Sequence, residues 1–152
     1  MTQSNFIHLA TSVALASSAH SGLPAGVTVA QAALESAWGN SQLARVAYNY
    51  FGIKHTANDT DCIELPTSEV INGERITTRA RFARFASIDA CFAARDRIIL
   101  TASCYANARE HASDPEAFIA ALAEHWATDP DYAAKLLRIY RAHHFDQLDK
   151  RT

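Results

Sequence analysis

Apolar residues recur at helical spacing through most of the chain and alternate with polar residues in one central stretch. We predict a first helix over residues 5–19 and, after a break at residues 21–24, a second helix over residues 27–38. The apolar stripe of the second helix is formed by Val29, Ala30, Ala33, Leu34 and Ala37. Gly39 is placed where a helix stop is expected.

The alternating stretch covers residues 65–81 and contains the pair Asn72-Gly73. This pair favours a two-residue hairpin turn, because the type I′ turn needs positive φ at both central positions. Ile76, Thr78, Ala80 and Phe82 then alternate with arginine and threonine, as a half-exposed strand requires.

Helix signals return after the hairpin. Ser87 is a capping residue for a helix over residues 88–109. Asp114-Pro115 and Asp129-Pro130 each place a carboxylate before a proline, which predicts helices over residues 115–127 and 130–143. We therefore predict a mainly α fold with a small β-hairpin lobe, forming a single domain over residues 1–152.

Composition narrows the function classes. The chain has 152 residues, 49% of them apolar and 20% charged, with a net charge of −2. That balance fits a soluble globule and lacks the basic face of a general nucleic-acid binder. No run of 18 apolar residues occurs, so no membrane span is predicted.

The segment from Leu9 to Ala19 is small and apolar, like the core of a signal peptide, but it has no basic region before it. We interpret it as an integral helix. A protein made in the cytoplasm without a signal peptide would need a non-classical route to any target outside it.

Three cysteines, Cys62, Cys91 and Cys104, permit at most one internal disulfide. Cys91 and Cys104 lie 13 residues apart in one predicted helix, about 20 Å of rise, which is too far to bridge. A bond from Cys62 to either is left open.

Glu35 is the most informative polar residue, and it is the one charged side chain among the first 44 residues. It falls in the last turn of the second helix, where free carbonyls carry partial negative charge. Ala32 and Trp38 could surround it with apolar surface. Both effects disfavour the carboxylate and should raise its pKa, as a general acid requires.

Residues 30–39 read AQAALESAWG, residues 49–54 read NYFGIK, and residues 126–133 read WATDPDYA. Together with the hairpin between them, these segments resemble glycoside hydrolase family 73, the glucosaminidase domain of bacterial cell-wall hydrolases. The resemblance covers about residues 5–140. It implies a lysozyme-like helical body with a small β lobe, no cofactor and no metal.

The resemblance places Glu35 at the general-acid position and implies a second carboxylate on the hairpin. Glu69 is the candidate because Thr67, Ser68 and Glu69 precede the Asn-Gly turn as in the family; Glu64 and Glu74 are rivals. Two carboxylates across a cleft suit glycoside hydrolysis, and their separation distinguishes inversion from retention.

The resemblance also implies substrate-binding positions, namely Trp38, Tyr48, Asn49, Phe51, Trp126 and Tyr132. Trp126 departs from the family, which commonly has tyrosine there. An indole N–H donates a hydrogen bond but cannot accept one or ionise as a phenol can. A donor or stacking role could survive this replacement, and a proton relay could not.

The resulting hypothesis is an endo-β-N-acetylglucosaminidase that cleaves β-1,4 bonds of peptidoglycan. A lytic transglycosylase and a non-catalytic glycan-binding module are the alternatives. A bare catalytic domain of this kind resembles a phage endolysin or a type VI secretion effector. An effector would act in the target periplasm and would require a cognate immunity protein occupying its cleft.

Overall fold

The fold is built mainly from helices, with one long hairpin projecting from them. A computed structural model describes residues 1–56 and 61–150. The α-helices are α1 (Gln3–Ser21), α2 (Ala25–Ser36), α3 (Gln42–Ala47), α4 (Ile88–Thr101), α5 (Ala106–Glu110), α6 (Pro115–Trp126) and α7 (Tyr132–Ala142). The strands β1 (Cys62–Ile71) and β2 (Glu74–Ala83) form the hairpin. Short 3-10 helices cover Ser103–Tyr105 and Phe145–Asp149. The predicted mainly α fold with a β-hairpin lobe is confirmed.

The first helix is an integral part of the core. Thr2 caps its N-terminus by accepting a hydrogen bond from the Asn5 N–H, and Gly22 ends it with a φ of 74°. Phe6, Ala10, Val13 and Ala14 are buried against α2 and α4. The predicted helix over residues 5–19 is therefore present and extends further at both ends.

Helix α2 is the central helix, and ten of its twelve residues are buried. Its small side chains allow neighbouring elements to approach closely. At Gly26 a Cβ atom would lie 2.1 Å from the Phe145 carbonyl oxygen, so only glycine fits. The Gly26 N–H also donates to Asp149 Oδ1 at 2.8 Å, which attaches the C-terminal 3-10 helix to α2.

The end of α2 differs from the prediction. The helix stops at Ser36, and Ala37, Trp38 and Gly39 all have positive φ. Ser36 stabilises this turn, because its hydroxyl donates to the Ala32 carbonyl and accepts from the Gly39 N–H. Gly39 is thus the third left-handed residue, and Ala37 is the residue that terminates the helix.

The hairpin is longer than predicted, with ten residues in each strand. Its antiparallel register pairs Cys62 with Ala83 and Ile71 with Glu74. Asn72 and Gly73 have φ values of 52° and 80°, which confirms the two-residue turn with positive φ at both positions. At the base, the Ala83 N–H donates to the Ile53 carbonyl at 2.9 Å, joining the hairpin to the helical body.

The single helix predicted over residues 88–109 is wrong. Ser87 does cap it, but α4 ends at Thr101 and Ala102 is extended. Arg109 Nη1 donates to the carbonyls of Ile99 and Ala102, both at 2.8 Å, and so satisfies groups that a continuing helix would have used. Cys91 and Cys104 therefore lie in different elements, and all three thiols are free.

The last two helices differ in how closely they follow their sequence signals. Asp114 caps α6 as predicted, accepting from the Ala117 N–H. Asp129 instead accepts from the Asp131 N–H at 2.8 Å, so its carboxylate closes a turn before the helix. As a result α7 begins at Tyr132, two residues later than predicted.

Candidate active site

A cleft of about 870 Å³ separates the hairpin from the helical body. Its floor is formed by the segment after α3, one wall by β1, and the other wall by the end of α6 and the residues that follow it. These three parts line it together with residues of α2, β2 and the first 3-10 helix; the lining includes Glu35, Phe51, Gly52, Ile53, Lys54, Thr67, Ser68, Glu69, Val70, Arg75, Tyr105, Trp126, Thr128 and Asp129.

Glu35 reaches this cleft from the last turn of α2. Its carboxylate lies against Gly52, where an added Cβ would be 3.4 Å from Oε2, and it is hydrogen-bonded to the Tyr132 hydroxyl. Burial raises the pKa of Glu35 from 4.5 to about 7; the hydrogen bond from Tyr132 opposes the rise, and the charge of Glu69 adds to it. A group with this pKa is protonated in a large fraction of molecules at neutral pH.

The segment after α3 is organised by Asn49, which is buried. Its Nδ2 donates to the carbonyls of Ile53 and Ala83 at 2.8 and 2.9 Å, and its Oδ1 accepts from the N–H groups of Phe51 and Ile53. The turn that results gives Gly52 a φ of 67° and brings it next to Glu35. Asn49 therefore shapes the cleft floor from behind and is not among the residues that line the cleft.

Glu69 lies on the hairpin wall and accepts two hydrogen bonds. Lys54 Nζ donates to Oε1 at 2.9 Å, and the Thr128 hydroxyl donates to Oε2 at 2.8 Å. These contacts, with Lys54 the larger cause, hold the pKa of Glu69 below its ordinary value. The site thus favours the ionised form of Glu69 and the neutral form of Glu35.

The rival carboxylates lie outside the cleft. Glu64 is paired with Arg79 at 2.8 Å, with half of its side chain exposed. Glu74 is exposed beside the turn, opposite Ile71. Neither lines the cavity, so Glu69 is the one of the three that shares the cleft with Glu35.

Trp126 ends α6 and lines the cleft. Its Nε1 donates to the Phe51 carbonyl at 3.3 Å, and its ring packs edge-on against Phe51 and tilted against Tyr105. The indole is half-buried, so part of its surface is accessible from the cavity. It therefore acts as a hydrogen-bond donor to the cleft floor, a use that needs no acceptor or ionisable group.

Two of the predicted substrate-binding residues lie elsewhere. Because α2 ends at Ser36, the Trp38 ring turns away and packs against Phe6 and His143, with centroid separations of 5.8 and 4.7 Å. Tyr48 terminates α3 with a φ of 51° and is 47% exposed. Neither residue lines the cleft. This cavity therefore gives no support to the expectation that Tyr48 shapes the cleft floor beside Trp38, and substrate binding by these two residues stays a prediction.

Residues 11–145 match the family described as glucosaminidase, mannosyl-glycoprotein endo-β-N-acetylglucosaminidase. The chain belongs to this glucosaminidase family. Its lysozyme-like fold and its membership of a glycoside hydrolase family agree with the prediction from the motifs.

Relatives in the glucosaminidase family carry more than one activity in their names. The exo-glucosaminidase LytG of Bacillus subtilis is 33% identical over 129 residues, which is 82% of this chain and 45% of the relative. A probable N-acetylmuramidase of Lactococcus lactis is 36% identical over 135 residues, 84% of this chain and 30% of the relative. The chain thus spans less than half the length of these relatives.

A solved structure extends the likeness over nearly the whole chain. A peptidoglycan hydrolase mutant from a Sphingomonas species superposes with a TM-score of 0.84 at 34% identity, covering 97% of both chains. This agreement extends to the hairpin lobe as well as the helical body of the glucosaminidase fold.

The motifs that indicate the glucosaminidase family did not reveal several contacts at the site. Tyr132 was predicted to bind substrate, but it is buried behind Glu35, with its hydroxyl on the carboxylate. Thr128 accepts from the Val70 N–H at 3.0 Å as well as donating to Glu69, so it joins the hairpin to the opposite wall. Both residues belong to the WATDPDYA segment, whose match to the family was the available signal.

The described part of the chain shows neither a metal-binding cluster nor a membrane-spanning helix. Residues 1–56 and 61–150 contain no group of three or more His, Cys, Asp or Glu side chains arranged to hold a metal ion. No helix within those residues is both long and apolar enough to cross a membrane.

Proposed function

We propose that this protein is a peptidoglycan hydrolase that cleaves β-1,4 glycosidic bonds of the glycan strand. The observation that carries the proposal is the pair of carboxylates lining one cleft, with the pKa of Glu35 raised to about 7 and that of Glu69 lowered. Two carboxyl groups with pKa values displaced in opposite directions have the properties of an acid and its ionised counterpart.

In the proposed reaction, Glu35 donates its proton to the glycosidic oxygen as the bond between that oxygen and C1 breaks. Positive charge develops on the sugar ring. Either the ionised Glu69 on the other wall removes a proton from the attacking water, or Glu69 stabilises the charge and Glu35, now a carboxylate, takes the proton from the water. The hydroxyl of that water ends on C1, and the leaving sugar keeps the proton from Glu35. No cofactor enters this scheme.

Trp126 is the aromatic group that we propose to contact the sugar rings, since it lines the cavity and is partly exposed. Phe51 is buried beneath it, so we propose that Phe51 supports the Trp126 ring and does not contact the glycan. Stacking of a sugar on the accessible surface of Trp126 would leave its N–H on the Phe51 carbonyl. Tyr132 is proposed to act on Glu35 rather than on the glycan, because it is buried on the far side of that carboxylate.

We propose that the bond cleaved follows N-acetylglucosamine, with endo action. The choice of bond needs a direct test, because one relative is named a glucosaminidase and another a muramidase. Purified sacculi are digested, the products are reduced with borohydride, and the new end groups are identified by mass spectrometry. Fragments that were cut from within the glycan strand and that end in reduced N-acetylglucosamine support the proposal. Fragments that end in reduced N-acetylmuramic acid overturn the choice of bond.

The same digest decides between mechanisms. A lytic transglycosylase would leave 1,6-anhydro ends that resist reduction, whereas a hydrolase leaves ordinary reducing ends. A glycan-binding module would retain sacculi without releasing any new end. Glu35→Gln serves as the matched control, since any end group that it still releases at the parent rate comes from a contaminating enzyme.

An inhibitor protein that occupies the cleft remains a prediction from the resemblance to secreted effectors. Such a protein would cover Glu35, Glu69 and Trp126 at once, because all three line the same cavity. A candidate from a neighbouring gene should abolish sacculus digestion at equimolar ratio and protect Trp126 fluorescence from soluble quenchers. Binding without loss of digestion would contradict occupation of the cleft.

A further inference from the structure

A line of buried polar side chains runs behind Glu35. Tyr132 is 4% exposed, while Gln31 and Arg95 are fully buried. Arg95 Nε lies 2.9 Å from Gln31 Oε1, and Gln31 Nε2 lies 3.3 Å from the Tyr132 hydroxyl oxygen. The Tyr132 hydroxyl in turn is hydrogen-bonded to Glu35. Gln31 lies one turn before Glu35 in α2, Arg95 lies in α4, and Tyr132 begins α7.

The chemistry of arginine sets the direction of every hydrogen bond in this line. A guanidinium has only donors, so the group that Gln31 turns toward Arg95 must be its oxygen. The Gln31 nitrogen then faces Tyr132 and donates to the phenol oxygen. Because the phenol has one proton and already accepts from Gln31, that proton is directed to the Glu35 carboxylate.

Reversing the hydrogen bonds through Gln31 and Tyr132 would change where the proton of neutral Glu35 points. With the Gln31 amide reversed, the phenol would donate to the amide oxygen and would accept a proton from neutral Glu35. The acidic proton would then point into the protein, away from the cleft. In the direction that Arg95 enforces, Tyr132 occupies one carboxyl oxygen as a donor, and the proton of neutral Glu35 belongs on the other oxygen.

We propose that Arg95 and Gln31 are positioning residues that hold the Tyr132 hydroxyl as a donor to Glu35 and so keep the acidic proton available to the cleft. This inference rests on the proposed function for its catalytic meaning. The hydrogen-bond direction itself is a property of the folded protein and can be measured without turnover.

Arg95 is held in place from several sides. Its Nη1 donates to Thr28 Oγ1 at 2.9 Å and to Asp96 Oδ1 at 2.8 Å, and its guanidinium lies 5.6 Å from the centre of the Phe51 ring. Arg95 Nη2 has no hydrogen-bond partner within the described residues. A buried arginine with one nitrogen unpaired is costly to retain for stability alone, which favours a role in positioning.

The charged and titratable groups that act on Glu35 are few. Tyr132 contacts it from α7, and Glu69 acts on it from β1 through its charge. Lys54 is paired with Glu69 on the cleft floor, and Arg95 acts on Tyr132 from α4. Loss of the Tyr132 donor would leave burial and Glu69 unopposed, so the pKa of Glu35 should rise.

The test is a direct titration of Glu35 by carbon-13 NMR of labelled glutamate side chains, assigned with Glu35→Gln. Tyr132→Phe should raise the pKa of Glu35 by about one unit, the size expected for losing a hydrogen bond to a charged acceptor. Gln31→Met should raise it in the parent protein and leave it unchanged in the Tyr132→Phe background. This dependence on Tyr132 is what a merely structural role of Gln31 would not produce.

Thr28→Val is the matched control, because it alters a buried side chain on the same helix and leaves the Gln31 contacts intact. It removes one acceptor of Arg95 but keeps the bond from Arg95 to Gln31, so it should lower the melting temperature without moving the Glu35 titration. An equal shift in Thr28→Val and Gln31→Met would overturn the proposal, because general loosening would then suffice. So would an equal effect of Gln31→Met with and without the Tyr132 hydroxyl.

Arg95→Gln tests whether Arg95 sets the direction of the hydrogen bonds that lead to Glu35. An amide at this position can present either a donor or an acceptor to Gln31. The rise in the pKa of Glu35 should be larger in the parent background than in the Tyr132→Phe background, where only the lost positive charge acts. Equal rises would remove Arg95 from the proposal. Should Arg95→Gln not fold, the Gln31 series decides alone.

Failure of this inference is distinguishable from failure of the proposed function. If the titrations behave as expected while sacculi are not digested, the hydrogen-bond direction stands and the hydrolase proposal falls. If sacculi are digested and the Gln31→Met titration matches the parent, the positioning role falls and the hydrolase remains.

Discussion

The two sides of the cleft each carry a glutamate, and they displace its pKa in opposite directions. On the helical wall, Glu35 is enclosed by buried neighbours and its pKa rises to about 7. On the hairpin wall, Glu69 lies on a two-stranded sheet with an ammonium and a hydroxyl on its oxygens, and its pKa falls. Since the residue type is identical, the opposite displacements of the two pKa values come from environment alone.

Glu35→Gln should remove the acidic member of this pair and produce the largest effect. The amide keeps the size of the side chain but has no acidic proton, so sacculus digestion should fall by at least about 10²-fold. Binding to insoluble peptidoglycan, measured by co-sedimentation, should persist. Digestion at the parent rate would show that Glu35 is not the acid.

The same substitution should also make the protein more stable at high pH. Because the pKa of Glu35 is raised from 4.5 to about 7, the folded state binds the proton more tightly, and stability is lost as pH rises through that window. Above it the loss approaches about 3 kcal/mol, which Glu35→Gln avoids. Denaturant unfolding should show the variant more stable near about pH 8 and equal to the parent near about pH 4. A constant difference at both pH values would contradict the raised pKa.

Glu69→Gln removes the ionised member and should reduce digestion at least about tenfold, because the remaining amide cannot stabilise positive charge as a carboxylate does. Thermal melting should change little, since the hairpin is peripheral to the core. Glu64→Gln is the matched control on the same strand, outside the cleft, and should keep the parent activity. The reverse result would move the second carboxylate to Glu64.

Lys54→Met should weaken the displacement of the Glu69 pKa and leave Glu35 nearly untouched. Loss of the ammonium raises the pKa of Glu69, so the acidic limb of the pH profile should move to higher pH by less than about one unit. The alkaline limb, set by Glu35, should move far less. Arg79→Met breaks a similar strand ion pair with Glu64 and should move neither limb.

Trp126 should give the smallest effect. Trp126→Phe loses the hydrogen bond to the Phe51 carbonyl. We expect the free energy of activation to rise by about 1 kcal/mol, the size of one hydrogen bond, which reduces activity about fivefold. Trp126→Tyr keeps a donor and should retain more activity than the phenylalanine variant. Equal activity in both, after their folding is verified by thermal melting, would indicate that the ring matters and the N–H does not.

Local signals predicted much of the fold because the physics behind them is local. Ser87, Asp114 and the Asn72-Gly73 turn act within a few residues, and each has its predicted effect. The predicted helix over residues 88–109 is wrong because its course depends on a contact made across a break in the helix. Arg109 folds back to donate to the carbonyls of Ile99 and Ala102, an arrangement that helical periodicity does not predict.

At the candidate site, too, some features followed from the local sequence and others did not. The raised pKa of Glu35 and its largest cause, burial, agree with the expectation, but the residues beside the carboxylate differ from those expected. Trp38 was expected to enclose the carboxylate, and the left-handed residues after Ser36 direct it elsewhere. The enclosure comes from Gly52 and Tyr132, and the Tyr132 contact spans about a hundred residues of chain, beyond the reach of helical periodicity.

The contacts of Thr128 have a mechanical consequence for the hairpin. Glu69 lies six residues along β1 from Ile63, which pairs with Phe82 at the base, so it is carried on an arm of about 20 Å. A rotation of only about 10° at that base would displace the end of such an arm by about 3.5 Å, more than a hydrogen bond tolerates. The Thr128 hydroxyl holds the arm near its working end, through Val70 and Glu69 together. The Thr128 side chain thereby fixes the position of the Glu69 carboxylate, at the end of a long hairpin, relative to Glu35.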